Sequence, residues 1–374
     1  MGNWALNYGR NSGETVKILI DIGHPAHIHL FKNFAWLMQK KGHLIFFTAR
    51  DKEVTIQLLS CFKFNFVSFG KPYKKILGKI WGLIKFDIFM LKFALKFRPD
   101  IFLSAGSMYA AHVAWILKKP HITFEDTGNI EQIRLYKPFS KVILVSTAFH
   151  KNLGEKQITY KGHHELAYLH PNHFKPTPFI TELLGLKKGE KFIVLRFVSW
   201  TASHDIGQKG LSFETTRKAI KDLSKFARVF ISSEGNLPGD LKQYKIEIPP
   251  EKMHDALAYA NLYIGDSPTM AEESAILGTP SICISSWAGE TGVIKDLQEY
   301  NLLYCYKPEY ENKAMKKGFE LLKNENIKTK WEKSRQKMLS ENIDVTAFMV
   351  WFIENYPRSV KIMKENPDYQ WKFK

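Results

Sequence analysis

The sequence predicts an α/β protein made of two Rossmann-like βαβ domains that face each other across a cleft. Three observations predict it. Short apolar runs alternate with segments of helical period from residue 16 to residue 306. The alternation occurs twice, on either side of a proline-containing stretch at 171–178. The chain's 374 residues are long for a single core and suit two. Strands that alternate with helices pair in parallel, and such sheets bind ligands beyond the carboxyl ends of their strands.

The first half opens with the apolar strand VKILIDI at 16–22, which runs into Gly23, His24 and the start of a helix near Ile28. Leu30, Phe34, Leu37 and Met38 share one face of that helix, and Gly42 stops it. Further strands are expected at 43–48, 64–69, 100–104, 121–124 and 141–145, with helices at 52–61 and from Gly106 to about Leu117. After Ser146 the chain is expected to leave this sheet and pass through 160–169 to the linker. In the second half, strands are expected at 191–197, 229–232, 246–248, 263–265, 281–284 and 302–305, with helices at 213–226 and 252–260. The stretch 313–356 is helical by pattern, and the chain from Asn366 reads as frayed. Residues 1–15 are polar and read as a disordered leader, with no apolar core of a signal peptide.

Composition narrows the partners. Lysine and arginine number 54 against 37 acidic residues, a formal charge of +17, which favours anionic ligands. The segment 71–98 interleaves Lys85, Lys92 and Lys96 with Trp81, Ile84, Phe86, Ile88 and Phe89. A basic, aromatic-rich helix of this kind suits an anionic membrane surface; equally, it is a domain helix with its lysines in water. Its apolar content and the absence of a recognition module argue against nucleic acid. Cys61, Cys283 and Cys305 have neither metal-ligand nor disulfide-framework spacing, which suits a reducing cytoplasm. No run is long and apolar enough for a spanning helix.

Candidate site residues fall at strand ends. The richest stretch is GDSPTMAEE at 265–273. A helix opening on Ser267, Thr269 and Met270 presents free backbone N–H groups to an anion such as a phosphate. About two turns in, Glu273 offers a carboxylate for the two hydroxyls of a ribose. The same residues also make an ordinary capped helix, with Pro268 in the first turn and Thr269 with Glu272 as a capping box. Gly106 and Ser107 form a second helix start. Asp126, beside Glu125, ends another strand and suits sugar hydroxyls or a base role. Arg196 precedes the loop that holds Ser199, His204 and Asp205, where a cation would offset diphosphate charge; it also suits a strand residue paired with a carboxylate. His27, with His24 beside it, opens the first helix. A neutral imidazole there can take a proton from a hydroxyl, although a histidine that only caps or packs fits too. No metal pair and no cofactor is expected.

The strings SWTASHD at 199–205, GHHELAYL at 162–169 and GDSPTMAEE at 265–273 resemble a prokaryotic family of domain-of-unknown-function proteins. That family is grouped with GT-B glycosyltransferases and non-hydrolysing UDP-N-acetylglucosamine 2-epimerases. The resemblance covers roughly residues 16–306. It implies a GT-B-like arrangement of the two domains: an acceptor domain at 16–170, a nucleotide-sugar domain at 171–340, and a helical tail at 341–374. It implies that Glu273 holds a ribose, that His27 stands where such transferases often carry a cleft histidine, and that Gly23 and His24 line the same loop. It departs from the epimerase pattern at Pro268 and Thr269, where two glycines are usual; a proline has no N–H to offer a phosphate. The implied activity is nucleotide-sugar-dependent glycosyl transfer in surface polysaccharide or glycolipid assembly, by a cytoplasmic protein peripheral to the inner face of the cell membrane. The alternatives are a nucleotide-sugar 2-epimerase and a non-catalytic nucleotide-sugar binding protein.

Overall fold

The computed structural model describes residues 14–71, 73, 76–198, 211–286, 288 and 292–374. The leader expected over 1–15 therefore lies almost wholly outside the described residues. The chain divides into two units: Met1–Tyr168 with Ile343–Lys374, and Leu169–Asn342 between them.

The first unit runs β1 (Lys17–Ile22), α1 (Pro25–Lys40), β2 (Leu44–Ala49), α2 (Thr55–Cys61), β3 (Phe66–Ser68), α3 (Ile76–Phe97), β4 (Ile101–Ala105), α4 (Met108–Ile116), β5 (His121–Glu125), α5 (Ile130–Tyr136), β6 (Val142–Ser146) and β7 (Gln157–Tyr160), then the short α6 (Leu166–Leu169). The seven strands pair in the order β3-β2-β1-β4-β5-β6-β7, all parallel. Helices cover both faces of such a sheet, so its central strands are apolar throughout. Ile18, Leu19, Ile20 and Ile22 of β1 and Ile101, Phe102 and Leu103 of β4 are fully buried.

The second unit holds α7 (Phe179–Leu183), β8 (Phe192–Phe197), α8 (Phe213–Leu223), β9 (Arg228–Ser233), α9 (Met253–Tyr259), β10 (Leu262–Gly265), α10 (Pro268–Ile276), β11 (Ser281–Ile284), α11 (Gly292–Glu299), β12 (Leu303–Tyr306), α12 (Glu311–Lys323) and α13 (Ile327–Ser340). Its five strands pair in the order β12-β11-β10-β8-β9, again all parallel. The chain then returns to the first unit as α14 (Val345–Glu354) and α15 (Arg358–Glu365).

Three expectations are corrected. The chain does not leave the first sheet after Ser146, because β7 returns to pair with β6. Ile158 and Tyr160 face the core while Thr159 is exposed, the alternation of a short edge strand. Residues 246–248 form no strand. Lys245 makes a single bridge to Ile231, and Pro249 and Pro250 follow, which donate no ladder hydrogen bond. The terminus is not frayed: residues Pro367–Phe373 form a 3₁₀ segment whose Tyr369 and Phe373 rings lie 4.8 and 5.3 Å from that of Trp351.

Candidate functional site

Each sheet has one place where the strand order reverses direction. In the first it falls between β1 and β4, in the second between β8 and β10. Loops that leave adjacent carboxyl ends part there and open a crevice, the usual ligand position in open α/β sheets. Gly23 and Ser107 stand at the first such point, and Arg196 and Asp266 at the second.

In the first unit, His24 caps α1. Its Nδ1 accepts from Ala26 N–H at 3.2 Å, and Pro25 takes the first helical position. His27 stands one turn later, and its Nδ1 accepts from Gly23 N–H at 3.3 Å. Burial first, then the neighbouring His24, Arg50 and His164, hold its pKa down to about 3 against the pull of Asp126. The ring is therefore neutral at physiological pH. With Nδ1 accepting from Gly23, the ring's proton sits on Nε2, so Nδ1 is the nitrogen whose lone pair can take a proton.

Asp126 follows β5 with its side chain 42% exposed, and its Oδ2 lies 2.9 Å from Nδ1 of the buried His164. Partial burial works against ionising Asp126, but the charge and hydrogen bond of His164, with His27, pull its pKa down to about 2. Burial likewise opposes charging His164, and Asp126 outweighs it, so that ring's pKa is raised. The two groups favour one another's charged forms, and the exposed end of Asp126 offers an acceptor for hydroxyls. Glu125 has a different task. Its Oε1 accepts from Thr127 Oγ1 and Gly128 N–H at 2.8 Å each, and Tyr136 Oη donates to its Oε2, which fixes the loop that carries Asp126. Burial raises its pKa.

The second helix start of this unit is engaged internally. Gly106 N–H donates to Thr123 Oγ1 at 2.8 Å, and Ser107 N–H to Ser104 Oγ at 3.1 Å. Ser107 Oγ caps α4 and donates to Asp21 Oδ2 at 2.5 Å. The amides expected to receive an anion are thus already bonded, because Ser104, Thr123 and the fully buried His121 build a polar network beneath them.

In the second unit, Ser199, His204 and Asp205 lie outside the described residues. Arg196 donates through Nη1 to Ser232 Oγ at 2.8 Å and through Nη2 to Glu234 Oε1 at 2.5 Å, so it is a strand residue paired with a carboxylate. Its Nε is buried with no hydrogen-bond partner among the described residues. Asp266 turns back on β8, its Oδ1 accepting from Val198 N–H at 2.7 Å. That directs its charge to a backbone donor. The crossing requires Gly265: a β-carbon there would lie 2.6 Å from both Arg196 Cβ and Tyr263 Oη.

Ser267 caps α10, accepting from Met270 N–H, with Pro268 first and Thr269 next in the opening turn. Glu273 is 5% exposed and its Oε1 lies 3.0 Å from Nε2 of the buried His254 on α9. The carboxylate expected to meet a ribose is therefore already braced by an imidazole, which fixes its position. Among the described residues, no group of three or more His, Cys, Asp or Glu side chains is placed to hold a metal ion.

The sequence reading missed Arg50 and His164. Arg50 directly follows β2 on the carboxyl edge already singled out for Gly23, and His164 lies inside the family-like string at 162–169.

A family model described as "Protein of unknown function (DUF354)" matches residues 16–349. The chain belongs to that family. A search of curated proteins finds no match. Among solved structures, the UDP-GlcNAc 2-epimerase of Neisseria meningitidis bound to UDP-GlcNAc superposes with a TM-score of 0.61 at 15% identity, over 93% of this chain and 98% of that one. The S. aureus MnaA–UDP co-structure gives 0.64 at 13% identity, over 92% and 98%. The spinosyn forosaminyltransferase SpnP gives 0.62 at 13% identity, over 93% and 100%. Likeness over nearly the whole of each chain shows that this DUF354 member has the GT-B-like α/β fold expected from its sequence.

Proposed function

We propose that this DUF354 protein is a nucleotide-sugar-dependent glycosyltransferase. The observation that carries the reading is α10. It begins at the carboxyl end of β10, at the strand-order reversal of the second unit, and holds Glu273 in place through His254. The first turn of α10 receives the diphosphate and Glu273 the ribose. Pro268 removes one amide from that turn and Ser267 Oγ already accepts from Met270 N–H, so Thr269 N–H and Arg196 Nε carry more of the phosphate contact. The MnaA–UDP co-structure and the epimerase bound to UDP-GlcNAc share this fold and support a nucleotide sugar as donor.

The first unit takes the acceptor. Its hydroxyl oxygen attacks the anomeric carbon, the bond to the diphosphate oxygen breaks, and the nucleoside diphosphate leaves with that electron pair. The hydroxyl proton goes to His27 Nδ1, which gives up its 3.3 Å bond from Gly23. Asp126 is the neighbour whose charge favours the imidazolium that forms. His204 and Asp205, which follow β8 in the sequence, serve the leaving diphosphate.

Helix α3 supports action on surface polysaccharide or glycolipid at the inner face of the cell membrane. Phe86, Met90 and Ala94 pack in the core, while Trp81, Ile84, Ile88 and Leu95 are exposed along one stripe with Lys92. No helix among the described residues is long and apolar enough to cross a membrane.

The 2-epimerase reading is favoured by the UDP-GlcNAc 2-epimerase structure that shares the fold. One experiment separates the two. The pure protein is incubated with UDP-, GDP- and CMP-sugars, with and without membrane lipid and glycan acceptors, and products are resolved by mass spectrometry and NMR. Acceptor-dependent release of nucleoside diphosphate is expected. Sugar isomerisation without acceptor would replace transferase by epimerase, and stabilisation without turnover would leave a binding protein.

A further inference from the structure

Arg50 stands immediately beyond β2 at the carboxyl edge of the first sheet, 7% exposed. Its Nη1 donates to Oδ1 and Oδ2 of Asp21 at 2.6 and 2.7 Å. Asp21 is fully buried, and its oxygens also accept from Thr48 Oγ1 at 2.7 Å and Ser107 Oγ at 2.5 Å. The carboxylate is saturated; the guanidinium is not. Among the described residues, Nε and Nη2 of Arg50 have no hydrogen-bond partner. The Tyr109 ring lies against the guanidinium, 5.0 Å from its carbon. The arginine is thus clamped by a carboxylate and a ring, with one edge unused.

That edge has a direction. A β-carbon on Gly23 would lie 3.2 Å from Nη2, so the unused edge lies beside the exposed Gly23 backbone, just before the helix that carries His27. A guanidinium edge offers paired donors at the spacing of two oxygens of a phosphate or carboxylate. Because Asp21 balances the charge, the edge attracts little at long range; it offers fixed donors at short range.

We propose that the Arg50 edge beside Gly23 is an oxyanion subsite for a phosphoryl or carboxylate group on a molecule bound at the first unit. Under the transferase reading, on which this part rests, that molecule is the acceptor, which is then a phosphorylated or uronate-containing glycan.

The test is calorimetric titration of the full chain with glycerol 3-phosphate, glucuronate, glucose and UDP. Arg50→Gln would bury Asp21 unpaired, so the variants are Gly23→Ala, which places a methyl against Nη2, and Arg50→Lys, which keeps a cation for Asp21 but loses the fork. The expected result is that at least one anion binds, glucose does not, and both variants weaken the anion about tenfold or more while UDP affinity holds. Binding of glycerol 3-phosphate alone assigns a phosphoryl acceptor, and of glucuronate alone a uronate. Anion affinity unchanged in both variants, or absent in the wild type, overturns the subsite. Loss of UDP binding from the wild type with anion binding intact would sink the transferase reading and leave the subsite standing.

Discussion

His164 Nδ1 lies 2.9 Å from Asp126 Oδ2, and the pair has one dry end and one wet end. The His164 ring stacks on Tyr160 at 6.2 Å and meets Phe124 edge-on at 5.7 Å. His164→Phe keeps that packing and removes the hydrogen bond. The charge and bond of His164 hold Asp126 low, so in the variant Asp126 takes its proton at higher pH. The acid limb of the turnover–pH profile is expected to move upward. An unmoved limb would show that Asp126 is not the ionised group the reaction depends on.

Glu273 makes separable demands on stability and on binding. Glu273→Ala removes the 3.0 Å bond to His254 inside the second unit and is expected to cost about 1–3 kcal/mol in urea denaturation. Glu273→Gln keeps an acceptor for His254 but lacks the charge. Both variants should lose about 10- to 100-fold in nucleoside diphosphate affinity, the worth of hydrogen bonds to a charged group. Lower stability with unchanged affinity would make Glu273 a structural prop and remove it from the ribose site.

His121 predicts the acid sensitivity of the first unit. It is fully buried, with Nδ1 2.9 Å from Ser140 Oγ and Nε2 2.9 Å from Ser104 Oγ, and burial holds its pKa down to about 3. The unfolded histidine binds its proton near pH 6.5 and the folded one does not, so stability falls as pH drops from 6.5 toward 3. The slope from this residue is at most about 1.4 kcal/mol per pH unit. His121→Asn should be less stable at pH 7 yet lose less between pH 6.5 and 4, read from denaturation midpoints. Parallel curves for the two proteins would contradict this.

The exposed stripe on α3 is testable without knowing the reaction. Trp81 and Ile84 are 60% and 50% exposed, so Trp81→Glu and Ile84→Glu should change stability by less than about 0.5 kcal/mol. Co-sedimentation with phosphatidylserine vesicles should fall several-fold, and Lys92→Glu should make the remaining binding less sensitive to salt. Binding equal to wild type would remove the membrane surface as a partner.

Much of the fold was legible because buried parallel strands are short apolar runs. Strands β1, β4, β6, β8 and β10 fall within one residue of their expected places at most ends. What was not legible depended on partners distant in sequence. Edge strand β7 is half polar, and only its pairing with β6 identifies it. Cys283 and Cys305, unremarkable by spacing, are in-register neighbours on β11 and β12, and both are free thiols. Gly23, His27, Asp126 and Ser267 do lie just past strand ends, as their place in the sequence suggests. Strand ends did not reveal which groups were already bonded. Gly106 and Ser107 look available in sequence and are engaged in the fold, whereas Arg50, which the sequence does not single out, is clamped between Asp21 and Tyr109. Charge pairing across 29 residues, as between Asp21 and Arg50, has no local signature.

The return of residues Ile343–Lys374 to the first unit sets an order of events during synthesis. The second unit is complete at Asn342, before the first has all its parts. Until then Ala167 O lacks the bond from Thr346 Oγ1, Lys161 O lacks that from Ile343 N–H, and Tyr160 lacks the Phe348 ring stacked 5.7 Å away. Tyr160 in turn backs His164, which holds Asp126. A ribosome-bound chain would therefore have its second unit whole first. Asp126 in the first unit gains its full support only once residue 348 has been added, after every residue of the second unit.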